Sequence, residues 1–366
     1  MSEVFVSIEV EGVEVTSLLE RLVIEENDMK ADIATMTFGD SHLILSDVFH
    51  EGLAVEIGLG YSDGHALIFR GIITSIRAYF PATGQAHVEV QAMDNLILLS
   101  LEPKTYRWSN TTVSQIVGKV AQDYGFVPGT ITPTSDSALE ETRPRQQVEE
   151  TDLAFLYRLA RDYDCKLYLE HGDVPPDKLS FVSTSSLIEA EPIEEALTFN
   201  QNLVEFYAMF DAFATAAEEQ LVTTDPASGE MVEFVEDLVS SSELTWVPDP
   251  ERIAQMGDSA AFITSLVTKS AAKRATLRDF WRKSTRLTGA PSRPTSDQSQ
   301  AYGDRSRRLG QSGRGRARGS IWLRPRSRVS IVGHGGRWSG AWYLARVRHE
   351  LDMRRRSYLS TFVCTR

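Results

Sequence analysis

Cysteine is scarce in this chain, since its 366 residues include only Cys165 and Cys364. The two form no C-x-x-C pair, and two isolated thiols argue against a disulfide-stabilised framework. The N-terminus alternates acidic with β-branched residues, so it lacks the basic start and apolar block of a signal peptide. Even the most apolar stretch, residues 203–222, is interrupted by acids. We therefore expect a protein without a signal peptide or membrane segment, made and assembled in the cytoplasm.

Sequence signatures of catalysis are also missing. The seven histidines form no H-E-x-x-H motif, and no serine lies in a G-x-S-x-G motif. The glycine-rich stretch "GLGYSDG" follows a predicted strand, but no helix opens after it, as a phosphate loop requires. Acidic pairs occur without an aromatic platform for a sugar. We predict no catalytic, cofactor-binding or metal-binding residues and no small-molecule substrate.

Charge is divided unequally along the chain. Residues 269–366 contain 24 lysines and arginines against 5 aspartates and glutamates, a balance of +19. The whole chain carries −13, so residues 1–268 carry −32. Opposite charges on two parts of one chain favour contact between them, within a subunit or between subunits. A solvated acidic surface with a basic tail is the alternative.

Hydrophobic periodicity predicts β-structure at both ends of the chain. Period-2 alternation with tight turns runs through residues 1–100 and returns after residue 328. Residues 55–80 and 329–351 share a V-x-I strand, a glycine turn, an aromatic-x-Gly step and an apolar strand that ends in Ile/Val-Arg. This internal repeat predicts two similar β-barrel domains separated by a helix-containing insertion.

The stretch Glu149–Asp173 holds the densest group of candidate site residues, namely Glu149, Glu150, Asp152, Asp162, Asp164, Cys165 and His171. A helix followed by a β-hairpin explains them without chemistry. Thr151 is the predicted N-cap, Asp152 lies in the first helical turn, and Arg158 and Asp162 form a predicted i,i+4 pair. Leu153, Leu156 and Leu159 are predicted to be buried and the acids to be exposed or capping. Cys165 falls on the apolar face of a strand, where an inert thiol is usual.

Residues 284–320 are rich in serine, glycine and arginine and contain little that could be buried, which predicts a flexible or partner-ordered linker. The basic segment 305–328 leaves three interpretations open. It is a solvated tether, a docking segment for the acidic part of a neighbouring subunit, or a nucleic-acid-binding segment. Trp322 is its only aromatic residue, which argues against base stacking.

Several blocks together resemble a known family. These are "FRGIITSIRAYF", "QQVEETDLAFLYRLARDYDCKLYLE" and the terminal "VSIVGHGGRWSGAWYLARVRHELD". They resemble the phage late control gene D family, which supplies the central baseplate hub of contractile tails and includes the N-terminal part of VgrG from type VI secretion. Gln147, Glu150, Thr151, Asp152 and the helix 155–160 match its most specific block. The resemblance covers residues 1–185 and 320–366.

The resemblance implies a mainly β, α+β protein with two similar antiparallel β-barrel domains and an inserted α/β domain, assembled as a homotrimeric hub. The predicted divisions are 1–103 (first barrel), 104–188 (α/β insertion), 189–283 (start of the second barrel with a helical insertion), 284–320 (linker) and 321–366 (final strands).

The resemblance also implies a structural role rather than an enzymatic one. The hub would join a sixfold inner tube to a threefold spike carried on a separate chain. Other baseplate proteins and a cargo or tape-measure protein are further expected partners. The alternative function is nucleic-acid binding through residues 305–328.

Overall fold

The computed structural model describes residues 3–134, 136, 138, 144–210, 218–224, 231–237, 249–278, 282–286 and 311–366. The N-terminal part is mostly strand, as its period-2 alternation predicts. Its elements are β1 (Val4–Val10), β2 (Val13–Glu14), β3 (Leu19–Asn27), β4 (Ile33–Gly39), the short helix α1 (Leu45–Val48), β5 (Ala54–Tyr61), β6 (Gly64–Tyr79) and β7 (His87–Asp94).

The middle segment mixes helices with short strands. It comprises β8 (Pro103–Trp108), α2 (Val113–Asp123), β9 (Val127–Thr132), β10 (Arg145–Thr151), α3 (Asp152–Asp162), β11 (Cys165–Glu170), β12 (Lys178–Ser183) and α4 (Thr184–Glu189). Helix α2 begins at a capping box, in which Thr112 and Gln115 bond to each other's backbone N–H groups. The predicted hairpin is present, since β11 and β12 pair antiparallel.

The C-terminal part returns to strands. It comprises β13 (Leu197–Thr198), β14 (Leu203–Phe210), β15 (Glu218–Thr224), β16 (Met231–Asp237), α5 (Pro250–Ala254), α6 (Ala260–Arg278), β17 (Arg282–Arg286), β18 (Gln311–Arg318), β19 (Arg328–Val332), β20 (Gly340–Asp352) and β21 (Ser357–Thr365). The helical pattern predicted after Pro250 is confirmed. Strand β18 and the end of β17 lie inside the predicted linker 284–320, so that prediction is wrong for residues 284–286 and 311–318. Residues 287–310 lie outside the described part of the chain.

The internal repeat is a duplication of topology. In the first unit, strands β3 to β7 lie in the sheet order β5-β6-β7-β4-β3, with every neighbouring pair antiparallel. In the second unit, β14 and β18 to β21 lie in the order β19-β20-β21-β18-β14, again antiparallel throughout. Corresponding strands also follow each other in the same order along the chain. We call these two sets of strands the first and second units.

Two β-bulges recur at matching places in the two units. One interrupts the first strand of each unit directly after its initial leucine, Leu19 in β3 and Leu203 in β14. The other lies between Ile73 and Ser75 in β6 and between Leu344 and Arg346 in β20. Because a bulge inserts one unpaired residue and bends the strand, matched bulges give the two units the same local curvature.

The two units are joined through β3 and β20, which pair antiparallel from Arg21–Asp352 to Asn27–Arg346. The resulting 13-stranded sheet is open, and its main path runs from β14 to β2. Within the described residues the backbone pairing closes neither unit into a barrel, so the description as two barrels stays a prediction. The protein is nevertheless mainly β, as expected.

Three hydrophobic clusters lie along the chain. The first is built mostly from the first unit, around Phe38 and Phe69, and the second from the middle segment, around Phe155 and Phe181. The third belongs to the second unit, around Trp342 and Phe362. Each part of the chain therefore buries its own apolar side chains, while the domain boundaries at single-residue precision remain a prediction.

Candidate functional site

The acid-rich stretch forms structural contacts around helix α3. Thr151 caps the helix, because its hydroxyl accepts a hydrogen bond from the Ala154 backbone N–H, as predicted. Asp152 is buried rather than exposed. Its carboxylate lies 2.5 Å from Lys104 Nζ and accepts hydrogen bonds from Gln147 and from the hydroxyl of Tyr124. The Gln-Glu-Thr-Asp motif thus ties strands β8 and β10 to helices α2 and α3.

The environment of Asp152 favours its charged form. Burial by itself raises the pKa of this carboxyl, but hydrogen bonds from Lys104, Gln147 and Tyr124 outweigh burial, so the pKa lies below its ordinary value. Asp152 therefore stays ionised at neutral pH, and its ion pair with Lys104 and its hydrogen bonds anchor the start of helix α3.

The other candidates in this stretch do not converge on one point. Arg158 binds Glu150 at 2.7 Å, and Asp162 lies 3.2 Å from Arg145, so the predicted partners form their ion pairs elsewhere. Asp162 still contributes to raising the pKa of Arg158, after Glu150. Strand β10 brings both partners beside the helix, which sequence spacing could not reveal. Glu149 is exposed, as predicted.

The end of the helix leads into a second set of buried groups. Asp164 is buried against Thr184, contrary to the expectation of an exposed acid. Burial raises the pKa of Cys165 to about 12, which makes its thiol unreactive, as predicted. Leu156 and Leu159 are fully buried, but Leu153 is only half-buried.

His171 belongs to a clamp between the middle segment and the first unit. Its Nδ1 lies 3.1 Å from Asp177, which also accepts from Arg70 at 2.7 Å. Arg70 further binds Glu56 and the backbone carbonyl of Gly172. One guanidinium therefore holds the β11–β12 turn against the first unit. The sequence feature that could have revealed this contact is the Phe-Arg-Gly motif, whose central residue is Arg70.

A buried charge cluster that sequence reasoning missed lies where the units meet. Glu26 on β3 binds His349 on β20 at 3.2 Å, and the other ring nitrogen of His349 lies 3.1 Å from Ser360 Oγ. Burial opposes ionisation of Glu26, but Arg324 and His349 outweigh it and lower its pKa to about 2. The order acid–His–Ser is that of a hydrolase triad. All three residues are at most 1% exposed, so no substrate reaches the serine and the array is structural.

Two further carboxylates extend this cluster. Burial raises the pKa of Asp32 to about 6, and burial together with Asp32 raises that of Asp94 well above its ordinary value. Asp94 accepts a hydrogen bond from the backbone N–H of Asp32 at 3.0 Å. Arg326 lowers the pKa of both, against the effect of burial. No local pattern marks these residues, because their partners come from opposite ends of the chain.

The arginine-rich motif forms an ordered stripe on β18. Arg314, Arg316 and Arg318 point to solvent, while the small residues between them face the core. A Cβ on Gly315 would lie 2.3 Å from the Phe362 ring, so this strand approaches its neighbours too closely for a side chain there. Beside the stripe lies a groove of about 510 Å³, lined by Tyr207, Glu205, Arg346 and Arg348 among others.

Groupings that suggest other functions are absent from the described part of the chain. No set of three or more His, Cys, Asp or Glu side chains there is arranged to hold a metal ion. No helix among those residues is long and apolar enough to cross a membrane.

Comparison with known proteins identifies the family. A model of the phage tail baseplate hub (GPD) family matches residues 35–354. The chain belongs to this family. The resemblance noted from the sequence is thereby confirmed, and the family match gives the chain the role of a baseplate hub. No curated protein sequence matches the hub.

The solved structures share the fold of the hub at low sequence identity. A tail protein from Neisseria meningitidis is 16% identical with a TM-score of 0.64, covering 99% of the hub and 96% of that chain. A 43 kDa tail protein of prophage MuSo2 from Shewanella oneidensis is 11% identical with a TM-score of 0.67, covering 99% and 98%. An E. coli component of the type VI secretion system is 14% identical with a TM-score of 0.56, covering 98% and 76%.

Proposed function

We propose that this hub assembles as a homotrimer that joins the sixfold inner tube of a contractile machine to a threefold spike. The observation that carries the proposal is the duplicated topology with its matched bulges. Three chains, each with two similar units, present six similar units around one axis. Features that occur once per chain, such as the middle segment, then occur three times in the proposed trimer.

The two units are proposed to act as barrel-like domains, side by side in a ring. Similar curvature at matched strands supports this arrangement, because neighbouring units then present similar surfaces to the tube. The threefold partner is proposed to be a spike on a separate chain. The N. meningitidis and MuSo2 tail proteins share this fold over nearly their full lengths.

The role proposed for the hub is structural rather than enzymatic, as part of a phage tail or injection particle assembled in the cytoplasm. Burial of the acid–His–Ser array and of the Cys165 thiol supports this role. Other baseplate proteins and a cargo or tape-measure protein complete the proposed partners.

The test is the mass of the purified hub in solution, followed by binding to the tube and spike proteins. We expect three times the mass of one chain without nucleic acid, and binding of the spike at one end of the ring. A hub that stays monomeric at high concentration, alone and with both partners, contradicts the proposal.

Nucleic-acid binding is the second candidate, and the exposed arginine stripe on β18 favours it. A stripe that follows a phosphate backbone gives binding that weakens steeply as salt rises. Titration of a labelled single-stranded oligonucleotide into the trimer separates the candidates. Tight, salt-sensitive binding that converts the trimer into a nucleic-acid complex would favour this function over the hub.

A further inference from the structure

The groove on the outer face of the second unit lies between two rows of arginines. Its floor is strand β21, which pairs with β18 on one side and with β20 on the other. Val363 and Thr361 of β21 each have one arginine of β18 and one of β20 directly opposite. Directly opposite residues point to the same side of a sheet, so the arginines form two walls. The wall residues are Arg314 and Arg316 on β18 and Arg346 and Arg348 on β20.

The dimensions of the groove suit an extended polypeptide. Neighbouring strands lie about 4.8 Å apart, so the two walls are separated by about 10 Å at the backbone. Along each wall the arginines are about 7 Å apart, because alternate residues of a strand are separated by two rises of about 3.4 Å. An extended chain that runs along β21 has the same repeat, and it directs successive side chains toward the two walls in turn.

The groove has more positive than negative charge. Two acids lie outside its walls: Glu25 on β3 binds both arginines of β20, and Glu205 on β14 is directly opposite Arg316. Arg314 and Arg316 form no ion pair among the described residues, and the guanidinium of Arg314 lies 4.9 Å from the ring centre of Tyr207. Two carboxylates therefore face four guanidinium groups, which leaves an excess of positive charge on the walls.

The pairing of Arg348 is also incomplete. Its Nε is buried and has no hydrogen-bond partner among the described residues. The second acid near it, Glu350, lies 4.0 Å away and binds Arg21 at 2.6 Å. A guanidinium has five N–H donors, and a carboxylate can accept two of them at once. The walls therefore have donors left for carboxylates from outside the chain.

We propose that this groove binds an extended, acidic segment of another protein. The carboxylates of that segment bind the arginine walls, and its backbone lies over Val363, which is 43% exposed, and Thr361. The site lies within one chain, so it goes beyond the hub role and does not depend on the trimer.

The groove is less suited to a nucleic acid. Bases bind proteins by stacking on aromatic rings, whereas the floor of the groove is formed by Val363 and Thr361. The ring of Tyr207, at one border, is covered by Arg314. Glu25 and Glu205 also border the groove, and they repel a continuous row of phosphates. A polypeptide can place its carboxylates at the arginines alone.

The test uses a fluorescein-labelled peptide, Gly-Asp-Glu-Asp-Glu-Gly, and its uncharged counterpart, Gly-Asn-Gln-Asn-Gln-Gly. We expect the purified full-length chain to bind the acidic peptide at least about tenfold more tightly than the uncharged one, as measured by fluorescence anisotropy. The affinity should fall as salt rises, because the walls are exposed to solvent.

Two kinds of variant locate the binding site. Arg314→Gln with Arg316→Gln removes one wall and should weaken binding of the acidic peptide by about tenfold or more. Val363→Glu should weaken it as much, because a carboxylate on the floor then competes for the same guanidinium groups. Val363→Thr, an uncharged substitution at the same position, should bind like the wild type.

A matched control separates the groove from general charge. Arg355→Gln with Arg356→Gln removes two exposed arginines from the turn between β20 and β21, outside the groove, and should leave binding unchanged. Circular dichroism and thermal unfolding show that every variant folds, as expected for side chains on the outer face and in an exposed turn.

Several outcomes would overturn the proposal. These are equal binding of the two peptides, unchanged binding in the groove variants, and an equal loss in the control variant. A labelled single-stranded oligonucleotide that binds more tightly than the acidic peptide, and is lost in the same groove variants, would assign the groove to nucleic acid instead. The oligomeric state is measured separately, so failure of the groove proposal leaves the proposed trimer unaffected.

Discussion

Gly71, the last residue of the Phe-Arg-Gly step, lies where β6 meets β7 with no space for a side chain. A Cβ there would lie 2.0 Å from the backbone oxygen of Met93. We expect Gly71→Ala to destabilise the protein by about 2–3 kcal/mol, because backbone must move to accept the methyl group. Gly118 in α2 is the matched control, since a Cβ there meets nothing within 4 Å. Gly118→Ala should stabilise by about 0.5–1 kcal/mol. Equilibrium unfolding in urea measures both, and equal effects would contradict the packing argument.

Asp32 makes the free energy of unfolding fall as pH rises, which is the opposite of the usual effect of a carboxyl group. Its pKa is raised to about 6 in the folded protein, above its ordinary value of 3.8. A carboxyl with a raised pKa contributes stability below its unfolded pKa and loses that contribution as pH rises through the folded value. We expect Asp32→Asn to reduce the fall in the free energy of unfolding between about pH 4.5 and 7 by about 1–3 kcal/mol.

The measurement is denaturant unfolding of both proteins across that pH range. Asp94 titrates in the same direction, so some slope remains in the variant. Glu26 acts oppositely, since its pKa is lowered to about 2 and its contribution is lost only as pH falls below about 4.5. An unchanged slope in Asp32→Asn would exclude Asp32 as its source.

Helix α3 illustrates which elements could be predicted from the sequence. Its start at Thr151, its buried Leu156 and the hairpin that follows are encoded locally, and the structure confirms them. The ion pairs of Arg158 and Asp162 were missed because β10, a separate strand, supplies both partners.

Strand β18 was not predicted from the sequence, because the strands that bind it are distant in the chain. Its sequence, "QSGRGRAR", has little β propensity, and it is a strand because β14 and β21 bind it on both sides. The buried cluster of Glu26 and His349 was beyond prediction, since its partners are 323 positions apart.

Helix α3 packs against its neighbours through the face that contains Leu156, whereas the acidic Glu149 just before the helix is exposed. Leu156→Asp should cost at least about 3 kcal/mol, because a charge is then buried without a partner. Glu149→Ala, at an exposed position just before the helix, should change stability by less than about 0.5 kcal/mol. Thermal unfolding compares the two. A large loss in Glu149→Ala, or any enzymatic activity that it abolishes, would contradict the structural interpretation.

The strand pair β14–β18 brackets a long insertion. Phe210 and Gln311 are directly opposite each other, so residues 211–310 leave and re-enter the sheet at neighbouring positions. Replacing these residues with a two-residue Asn-Gly turn should preserve the sheet, because that turn suits an antiparallel hairpin. The expected result is a cooperative unfolding transition within a few degrees of the parent.

A control deletion of 211–311 with the same turn tests the register. Removing one more residue forces a slip that turns the arginines of β18 toward the core, so this variant should be much less stable. Equal stability of the two deletions would mean that β14 and β18 do not form a continuous hairpin.

The division of charge is a property of the whole molecule, and in the proposed trimer we expect it to affect the rate of assembly more than the final affinity. Exposed ion pairs contribute only about 0–1 kcal/mol each, so apolar contact supplies most of the binding energy. Charge mainly accelerates encounter, and salt shortens its range from about 10 Å at 0.1 M to about 3 Å at 1 M. We expect trimer assembly from dilute monomer to slow with rising salt, as followed by light scattering. An assembly rate independent of salt would contradict charge steering.

The pairing of β3 with β20 also affects how the chain is made. Paired residues on these strands are 319 to 331 positions apart, from Asn27–Arg346 to Arg21–Asp352. At a translation rate of about 5–20 residues per second, β3 leaves the ribosome roughly 15–60 seconds before β20 can cover it. During that interval the first unit has its apolar strands but an open edge on β3, a template for misassembly between nascent chains. Native folding of the first unit is therefore coupled to the synthesis of the second.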